Sequence, residues 1–200
     1  MTKTDTFAFL TRGETDRPIL DRLHDRLVDA AATEQVLDVA YTTMDSPLGL
    51  LLLAATENGV VRLAYALEDH DQVLQSLAVK VSPRVLHAPR RLDEAARQLD
   101  GYFAGRLRSF DLPLDLRLSV GFRRQVLNHL RTIGYGHTES YAGVARAIGR
   151  SAAVRAVGSA CASNPVPLLV PCHRVLRSDG TLGGYVGGLG AKQALLALER

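Results

Sequence analysis

Three short apolar segments separated by two tight-turn sequences constrain the fold more than any other feature of this chain. The segments cover residues 36–43, 50–55 and 60–66, and the turns are Ser46-Pro47-Leu48-Gly49 and Glu57-Asn58-Gly59. Apolar runs of this length, bounded by Gly, Pro and Asn, are typical of β-strands joined by hairpins. The first half of the chain is therefore predicted to contain a small antiparallel sheet.

Helical patterns accompany this sheet. Residues 69–80 and 89–104 are predicted to be helices, residues 85–87 a short strand and residues 108–118 an extended link. Upstream, apolar residues from Ile19 to Ala31 recur at helical spacing, which predicts an amphipathic helix packed on the protein or on a partner. The predicted organisation is a helical extension over residues 1–35, a sheet-containing domain over 36–112 and a second domain over 113–200.

The second domain shows a helix-turn-helix pattern. A helical period covers residues 122–133. Ser140 is predicted to cap a short helix that ends before Gly149. Ser151 is predicted to cap the next helix, which runs to about Ser163. Helix, short turn, helix is the spacing of helix-turn-helix motifs, although many buried helix pairs share it. The predicted fold class is α+β, with the sheet domain first and a mostly helical domain after it.

The composition is that of an ordinary soluble globular protein. Of the 200 residues, 46% are hydrophobic and 22% are charged. The first 16 residues lack the apolar core of a secretory signal, and the longest apolar run, residues 48–55, is too short to cross a bilayer. Two cysteines without clustered histidines predict neither a disulfide framework nor a zinc site. We therefore expect a cytoplasmic protein without metal or cofactor.

Charge is distributed unevenly between the two halves. Residues 101–200 hold 13 of the 24 Lys and Arg residues but only 5 of the 21 Asp and Glu residues. A basic half favours a polyanionic partner, and nucleic acid is the commonest one. Scattered arginines also occur simply as solubilising residues, so charge alone leaves both interpretations open.

A thiol and an imidazole lie side by side at Cys172 and His173, directly after an apolar run and Pro171. A cysteine becomes a strong nucleophile when a base or a positive environment favours its thiolate. Adjacent residues on an extended chain point to opposite faces, so direct proton transfer between the two is disfavoured and a bridging water or a third residue is expected. A lone cysteine in apolar surroundings is more often inert core.

The helix predicted after Ser151 has an unusually small surface. Ala152, Ala153, Ala156 and Gly158 surround Arg155, the one long side chain there. Such a helix can approach another backbone closely, which usually means packing against a neighbouring helix. Against DNA, a close-approaching helix with one inserted side chain can open a base step.

Several motifs between residues 164 and 199 form a specific combination. They are Asn164-Pro165-Val166-Pro167, Pro171-Cys172-His173-Arg174-Val175, Gly187-Gly188-Leu189, and Lys192 with Leu195-Leu196 and Glu199. Tyr135-Gly136, Thr138, Ser140-Tyr141 and Arg155-Ala156-Val157-Gly158 fit the same pattern. In this combination the chain resembles the O6-alkylguanine-DNA alkyltransferases. The resemblance covers about residues 122–199 closely and the first half only in outline.

The resemblance implies a fold, a partner and a reaction. The fold would be an RNase H-like sheet domain followed by a winged helix-turn-helix domain. The partner would be double-stranded DNA containing O6-alkylguanine, bound by a monomer with no membrane association. The reaction would be irreversible transfer of the alkyl group to the protein's own cysteine, after the nucleotide has been flipped out of the duplex. Activity on O4-alkylthymine stays open.

The same resemblance gives roles to individual residues. Cys172 would be the alkyl acceptor, His173 the base acting through a water, and Glu199 the carboxylate that orients the imidazole. Asn164 would brace the turn and the thiolate. Two further groups are implied. The DNA-binding and base-flipping residues would be Arg155, Tyr141, Ser151 and Ala156, and the substrate pocket would comprise Val175, Tyr185, Val186, Gly187 and Cys161.

One residue departs from the family pattern in a way that leaves its role open, and three other classes of protein remain as alternatives to an alkyltransferase. Cys161 stands where an apolar pocket residue is expected, and it is either a small hydrophobe or a second alkylation site. One alternative is a protein that binds alkylated DNA without transferring the lesion; that class lacks the acceptor cysteine. Another is a helix-turn-helix regulator with a sensing cysteine, and a third is a cysteine hydrolase with turnover.

Overall fold

The structure is a computed structural model that describes residues 12–34 and 36–200. A four-stranded sheet occupies its first half. It comprises β1 (Val39–Met44), β2 (Leu51–Thr56), β3 (Gly59–Tyr65) and β4 (Val85–His87), in the order β3-β2-β1-β4. The first three strands pair antiparallel, as the turn sequences predicted. The fourth runs parallel to β1, so the sheet is mixed.

The parallel strand follows from the connection that precedes it. Helix α2 (His70–Lys80) lies between β3 and β4 and carries the chain back along the sheet, which a parallel pairing requires. Asp69 caps this helix by accepting hydrogen bonds from the Asp71 and Gln72 amides.

Two predicted helices of the first half differ in detail from the structure. The pattern over residues 89–104 forms a 3-10 turn, Pro89–Leu92, followed by α3 (Asp93–Phe103). The turn is closed by a short-range bond from Arg91 N to Ala88 O, which gives the tighter winding common at helix starts. The upstream helix, α1, spans Arg12–Thr33. Residues 1–11 and residue 35 of the predicted extension lie outside the described residues.

Helix α1 contacts the body of the protein along only part of its surface. His24 Nε2 lies 2.6 Å from His87 O, Ala31 is buried and Val28 packs against the core. Four apolar side chains of the same helix are largely exposed. They are Ile19, Leu20, Leu23 and Leu27.

The second half is mainly helical. Its elements are α4 (Gly121–Leu130), β5 (Glu139–Ser140), α5 (Tyr141–Ala147), α6 (Val154–Ala162), a 3-10 turn (Cys172–Arg174), β6 (Val175–Leu176) and α7 (Gly188–Leu198), with β5 parallel to β6. Helix α4 ends before the predicted limit because residues 131–133 form tighter turns. Helix α7 begins three residues earlier than its predicted start at Ala191.

The predicted helix-turn-helix is formed by α5 and α6, but one of its two predicted caps is wrong. Ser140 Oγ accepts from Gly143 N at 3.0 Å and caps α5. Helix α6 instead begins at Val154 after an uncapped Ala153. A separate turn, closed by Ala153 N to Arg150 O at 2.7 Å, delays the helix and leaves Ser151 in the connection. Gly149 takes φ +70°, the left-handed conformation that reverses the chain between the helices.

One continuous apolar core joins the two halves. Leu53, Leu63 and Tyr65 from the sheet pack in the same cluster as Leu127 and Val170 from the helical half. The chain after α6 is therefore held against the sheet. In the described part of the chain, no helix is long and apolar enough to cross a membrane.

Candidate active site

Cys172 lies at the end of a completely buried segment that follows α6. Residues 164–171 are all buried, and Leu168 takes the left-handed conformation (φ 71°), which costs of order 1–3 kcal/mol for a residue other than glycine. This local reversal turns the chain so that the 3-10 turn begins at Cys172. The cysteine side chain is buried and forms no disulfide.

Asn164 fixes the turn that presents this thiol. Its Nδ2 donates to Cys172 Sγ at 3.2 Å and to Val170 O at 2.9 Å, while its Oδ1 accepts from Val166 N at 3.1 Å. One amide side chain therefore connects three points of the loop and places a hydrogen-bond donor on the sulfur.

His173 and Glu199 form a buried pair behind the cysteine. His173 Nε2 lies 2.9 Å from Glu199 Oε1, and the two residues are 0% and 3% exposed. Burial lowers the pKa of His173, and the nearby carboxylate only partly opposes this effect. A neutral imidazole that donates from Nε2 to a carboxylate leaves Nδ1 as a proton acceptor. Nδ1 makes no hydrogen bond to any described residue.

Glu199 is the centre of a wider buried network. Arg174 donates to it from Nε at 2.9 Å and from Nη2 at 2.8 Å, and Tyr102 Oη donates at 2.6 Å. Burial alone would raise the pKa of Glu199, but the hydrogen bonds from His173, Arg174 and Tyr102 outweigh it and hold the pKa well below its usual range. The carboxylate is therefore ionised at neutral pH, which fixes the orientation of the imidazole.

The resting thiol is neutral. Burial raises the pKa of Cys172 to about 11, against the opposing effects of the Asn164 hydrogen bond and the Lys192 charge. Lys192 is fully buried, and its Nζ donates to Val175 O at 2.6 Å. At pH 7 roughly one molecule in ten thousand would carry a thiolate, so efficient nucleophilic attack needs a base at the moment of reaction.

An open cleft of about 620 Å³ borders this buried centre at Tyr185, whose ring packs against His173. It is lined by Tyr141, Val154, Arg155, Gly158, Ala162, Arg177, Gly183, Gly184, Tyr185 and Val186. Four predicted site residues, Tyr141, Arg155, Tyr185 and Val186, therefore meet in one place. Burial raises the pKa of Tyr141 to about 12, with smaller contributions from Cys161 and Cys172, so the phenol stays protonated at neutral pH.

The other residues predicted for the pocket or the DNA-facing surface lie outside the cleft lining. Val175 is fully buried in β6 and contributes its carbonyl to Lys192. Burial raises the pKa of Cys161 to about 12, so this thiol is a poor nucleophile and packs as a small hydrophobic residue. Ser151 and Ala156 are exposed on the connection and on α6. Gly187 packs against the ring of Tyr65.

Sequence reasoning missed the roles of several residues that the structure brings to this site. Arg174 and Lys192 lie within the quoted motifs, and that position was the available signal for both. Tyr102 and Tyr65 come from the sheet-containing half, where no local pattern marks a tyrosine as part of a site 97 or 120 residues away along the chain.

The fold and the site together define a class of protein. Residues of the helix-turn-helix unit and of the segment 177–186 line a cleft with two arginines, and a buried cysteine with an adjacent histidine–carboxylate pair borders it. The class is that of helix-turn-helix proteins with a buried cysteine next to an open cleft. The described residues contain no group of three or more His, Cys, Asp or Glu residues arranged to hold a metal ion.

Comparison with known proteins identifies the family within this class. Residues 39–116 match the model for the 6-O-methylguanine DNA methyltransferase, ribonuclease-like domain, and residues 121–200 match the model for its DNA binding domain. A methylated-DNA–protein-cysteine methyltransferase of Mycolicibacterium paratuberculosis is 45% identical over 162 residues, which cover 81% of this chain and 93% of the relative. A constitutive enzyme of the same name from Bacillus subtilis is 40% identical over 164 residues, covering 80% and 94%.

Solved structures of similar proteins point to the same family. Mycobacterium tuberculosis O6-methylguanine methyltransferase superimposes with a TM-score of 0.71 at 40% identity, covering 80% of this chain and 92% of that one. The Mycobacterium tuberculosis protein named OGT, in complex with DNA, gives the same values. The chain belongs to the family of methylated-DNA–protein-cysteine methyltransferases, the O6-alkylguanine-DNA alkyltransferases. These matches confirm the family resemblance noted in the sequence. They also confirm the predicted fold, which is an α+β chain with a ribonuclease-like domain followed by a helical DNA-binding domain.

Proposed function

We propose that this chain repairs DNA by direct reversal, moving an alkyl group from guanine O6 in double-stranded DNA to Cys172. The observation that carries the proposal is the buried set of Cys172, His173 and Glu199 next to the cleft that Arg155 and Arg177 line, with the Tyr185 ring between cleft and His173. Membership of the methyltransferase family supports the reaction class.

The reaction is a single displacement. His173 Nδ1 takes the thiol proton through a water molecule, and Glu199 stabilises the imidazolium that forms. The Cys172 sulfur then attacks the alkyl carbon, a C–S bond forms, and the bond from that carbon to guanine O6 breaks. The electron pair stays on the guanine, which takes up a proton to become the normal base. The thioether is stable, so each molecule acts once.

The substrate atom lies inside the duplex, so the nucleotide must first leave the base stack, at a cost of a few kcal/mol. Arg155, on the small-residue helix α6, fills the space that the extruded nucleotide leaves. Tyr141 borders the same cleft and stays protonated, so its hydroxyl donates to the flipped base or to its phosphate. Cleft arginines contact phosphates, which makes DNA binding independent of sequence and sensitive to salt.

The setting of this reaction is also a proposal. We place the protein in the cytoplasm, because its two unpaired cysteines fit a reducing compartment. There it acts on nucleoid DNA as a monomer. Gel filtration with light scattering, with and without DNA, measures the oligomeric state; a stable dimer without DNA contradicts the monomer.

The test is intact-protein mass after incubation with a duplex that holds one O6-methylguanine. Wild type is expected to gain one methylene mass per molecule, located at Cys172 by peptide mapping. Cys172→Ser should gain none, and Cys161→Ser should gain the same mass as wild type. DNA binding without any mass gain overturns the proposal and favours a lesion-binding or regulatory protein. Mass gain at Cys161 retains the reaction but refutes the assigned acceptor.

A further inference from the structure

A tyrosine of the N-terminal sheet reaches the wall of the cleft. Tyr65, at the end of β3, is 1% exposed, and its hydroxyl lies 2.7 Å from the hydroxyl of Tyr185. The two rings meet edge to face, with centroids 5.7 Å apart. The ring of Tyr185 therefore lines the cleft, while its hydroxyl contacts Tyr65 of the sheet.

The backbone next to Tyr185 rests on the same side chain. A Cβ at Gly187 would lie 2.9 Å from the Tyr65 ring, closer than real Cβ contacts, so only glycine allows this approach. The ring of Tyr65 thus supports residues 185–187 both through a hydroxyl contact and through direct packing.

The opposite side of the site is anchored to the same strand. Pro165 O, next to Asn164, accepts from Leu63 N at 2.9 Å and from Arg62 Nη1 at 3.0 Å. Arg62 forms an ion pair with Glu68, and Glu68 Oε1 accepts from Tyr65 N at 3.0 Å. Strand β3 therefore contacts both the loop that positions the thiol, at Pro165, and the cleft wall, at Tyr185.

The position of Tyr185 bears directly on the space for the substrate. Its ring packs edge to face on His173, with centroids 6.3 Å apart, so it lies between the cleft and the base. Moving this ring away from His173 would enlarge the cleft next to the buried centre, and the contact with Tyr65 opposes such a movement.

We propose that Tyr65 is a positioning residue that fixes Tyr185 and thereby limits the size of the alkyl group that Cys172 accepts. This inference rests on the proposed function and adds to it a determinant of substrate range in the N-terminal sheet. No step of the reaction passes through Tyr65. Its contribution is the rigidity of one wall, supplied by a part-buried hydroxyl pair whose separation would leave the hydroxyl of Tyr65 without its partner.

The experiment compares transfer rates from duplexes containing O6-methylguanine or O6-benzylguanine for Tyr65→Phe, Tyr185→Phe and the double variant. Tyr65→Phe keeps the ring under Gly187 and removes only the hydroxyl. In Tyr65→Phe, methyl transfer should stay within about twofold of wild type, while the benzyl-to-methyl rate ratio should rise roughly fivefold, because one hydrogen bond contributes about that factor. The double variant should exceed neither single variant, since both remove the same interaction.

Tyr41→Phe is the matched control, because it removes a hydroxyl from the same sheet at β1 without contact with the loop. Its rate ratio should equal that of wild type. An unchanged ratio in Tyr65→Phe, additive effects in the double variant, or the same rise in Tyr41→Phe would each overturn the inference. Absence of any transfer by wild type would instead refute the proposed function, so the two failures are distinguishable.

Discussion

The buried reaction centre and the cleft beside it differ in how their polar groups are engaged. In the centre, Asn164, His173 and Glu199 are at most 3% exposed, and the carboxylate alone accepts from three different side chains. In the cleft, Arg155 and Arg177 are exposed, and their guanidinium groups make no hydrogen bond to the residues that the structure describes.

This difference separates two requirements of the proposed reaction. A base and its orienting carboxylate must be in place before the substrate arrives, because reorganising a buried network during the reaction would add to the barrier. Groups that bind a polyanion gain most when no protein partner competes for them. The centre is thus set by the fold, whereas the cleft is left free for the ligand. Three predictions test this division, ordered from the largest effect to the smallest.

Replacing the central carboxylate should produce the largest effect. Glu199→Gln leaves Arg174 and His173 without their anionic partner in a buried site, so we expect a loss of about 3–5 kcal/mol in the free energy of unfolding. Methyl transfer should fall by more than roughly a hundredfold, since the imidazolium loses its counter-charge. Urea unfolding and single-turnover rates measure the two effects.

The matched control is Glu139→Gln, which breaks a similar contact of 2.7 Å between Glu139 and His129 in a half-buried position outside the centre. We expect it to cost at most about 1 kcal/mol and to leave transfer unchanged. Equal losses in the two variants would show that the centre is no more preorganised than an ordinary surface pair.

Removing the cleft arginine should affect DNA substrates selectively. Arg155→Ala should lower transfer from duplex DNA roughly thirtyfold, about 2 kcal/mol, because the extruded nucleotide leaves an unfilled gap. Transfer from the free base O6-benzylguanine should remain within about twofold, since no duplex has to be opened. Arg106→Ala, an exposed arginine outside the cleft lining, is the control. Equal losses on both substrates would assign Arg155 to the buried centre instead.

Removing one donor of the buried network should have the smallest effect. Tyr102→Phe keeps the aromatic packing and removes the 2.6 Å bond to Glu199. We expect a loss of about 1.5 kcal/mol in the free energy of unfolding, the usual contribution of a hydrogen bond to a charged group, and a few-fold slower transfer. Thermal melting should show a decrease of roughly 4 °C. No change relative to Tyr41→Phe would mean that Arg174 alone suffices to hold the carboxylate.

Local sequence patterns predicted much of the fold. Turn sequences at residues 46–49 and 57–59 located three strands, because Gly, Pro and Asn restrict the chain to reversals over a few residues. The cap at Ser140 and the turn at Gly149 were likewise predicted from residues close together along the chain. Ser151 is not a cap, because residues 150–153 form a separate turn, closed by Ala153 N donating to Arg150 O, before α6 begins at Val154.

The sequence by itself determined the two halves, the helix-turn-helix spacing and the adjacency of Cys172 and His173, since each depends on residues close together along the chain. Only the tertiary structure decided which side chains surround Glu199 and which sheet residues support the cleft. Tyr102 reaches Glu199 across 97 residues, and Tyr65 reaches Tyr185 across 120. Such contacts arise from packing the sheet against the helical half in one shared core, and no periodicity within either half encodes the meeting of those particular side chains.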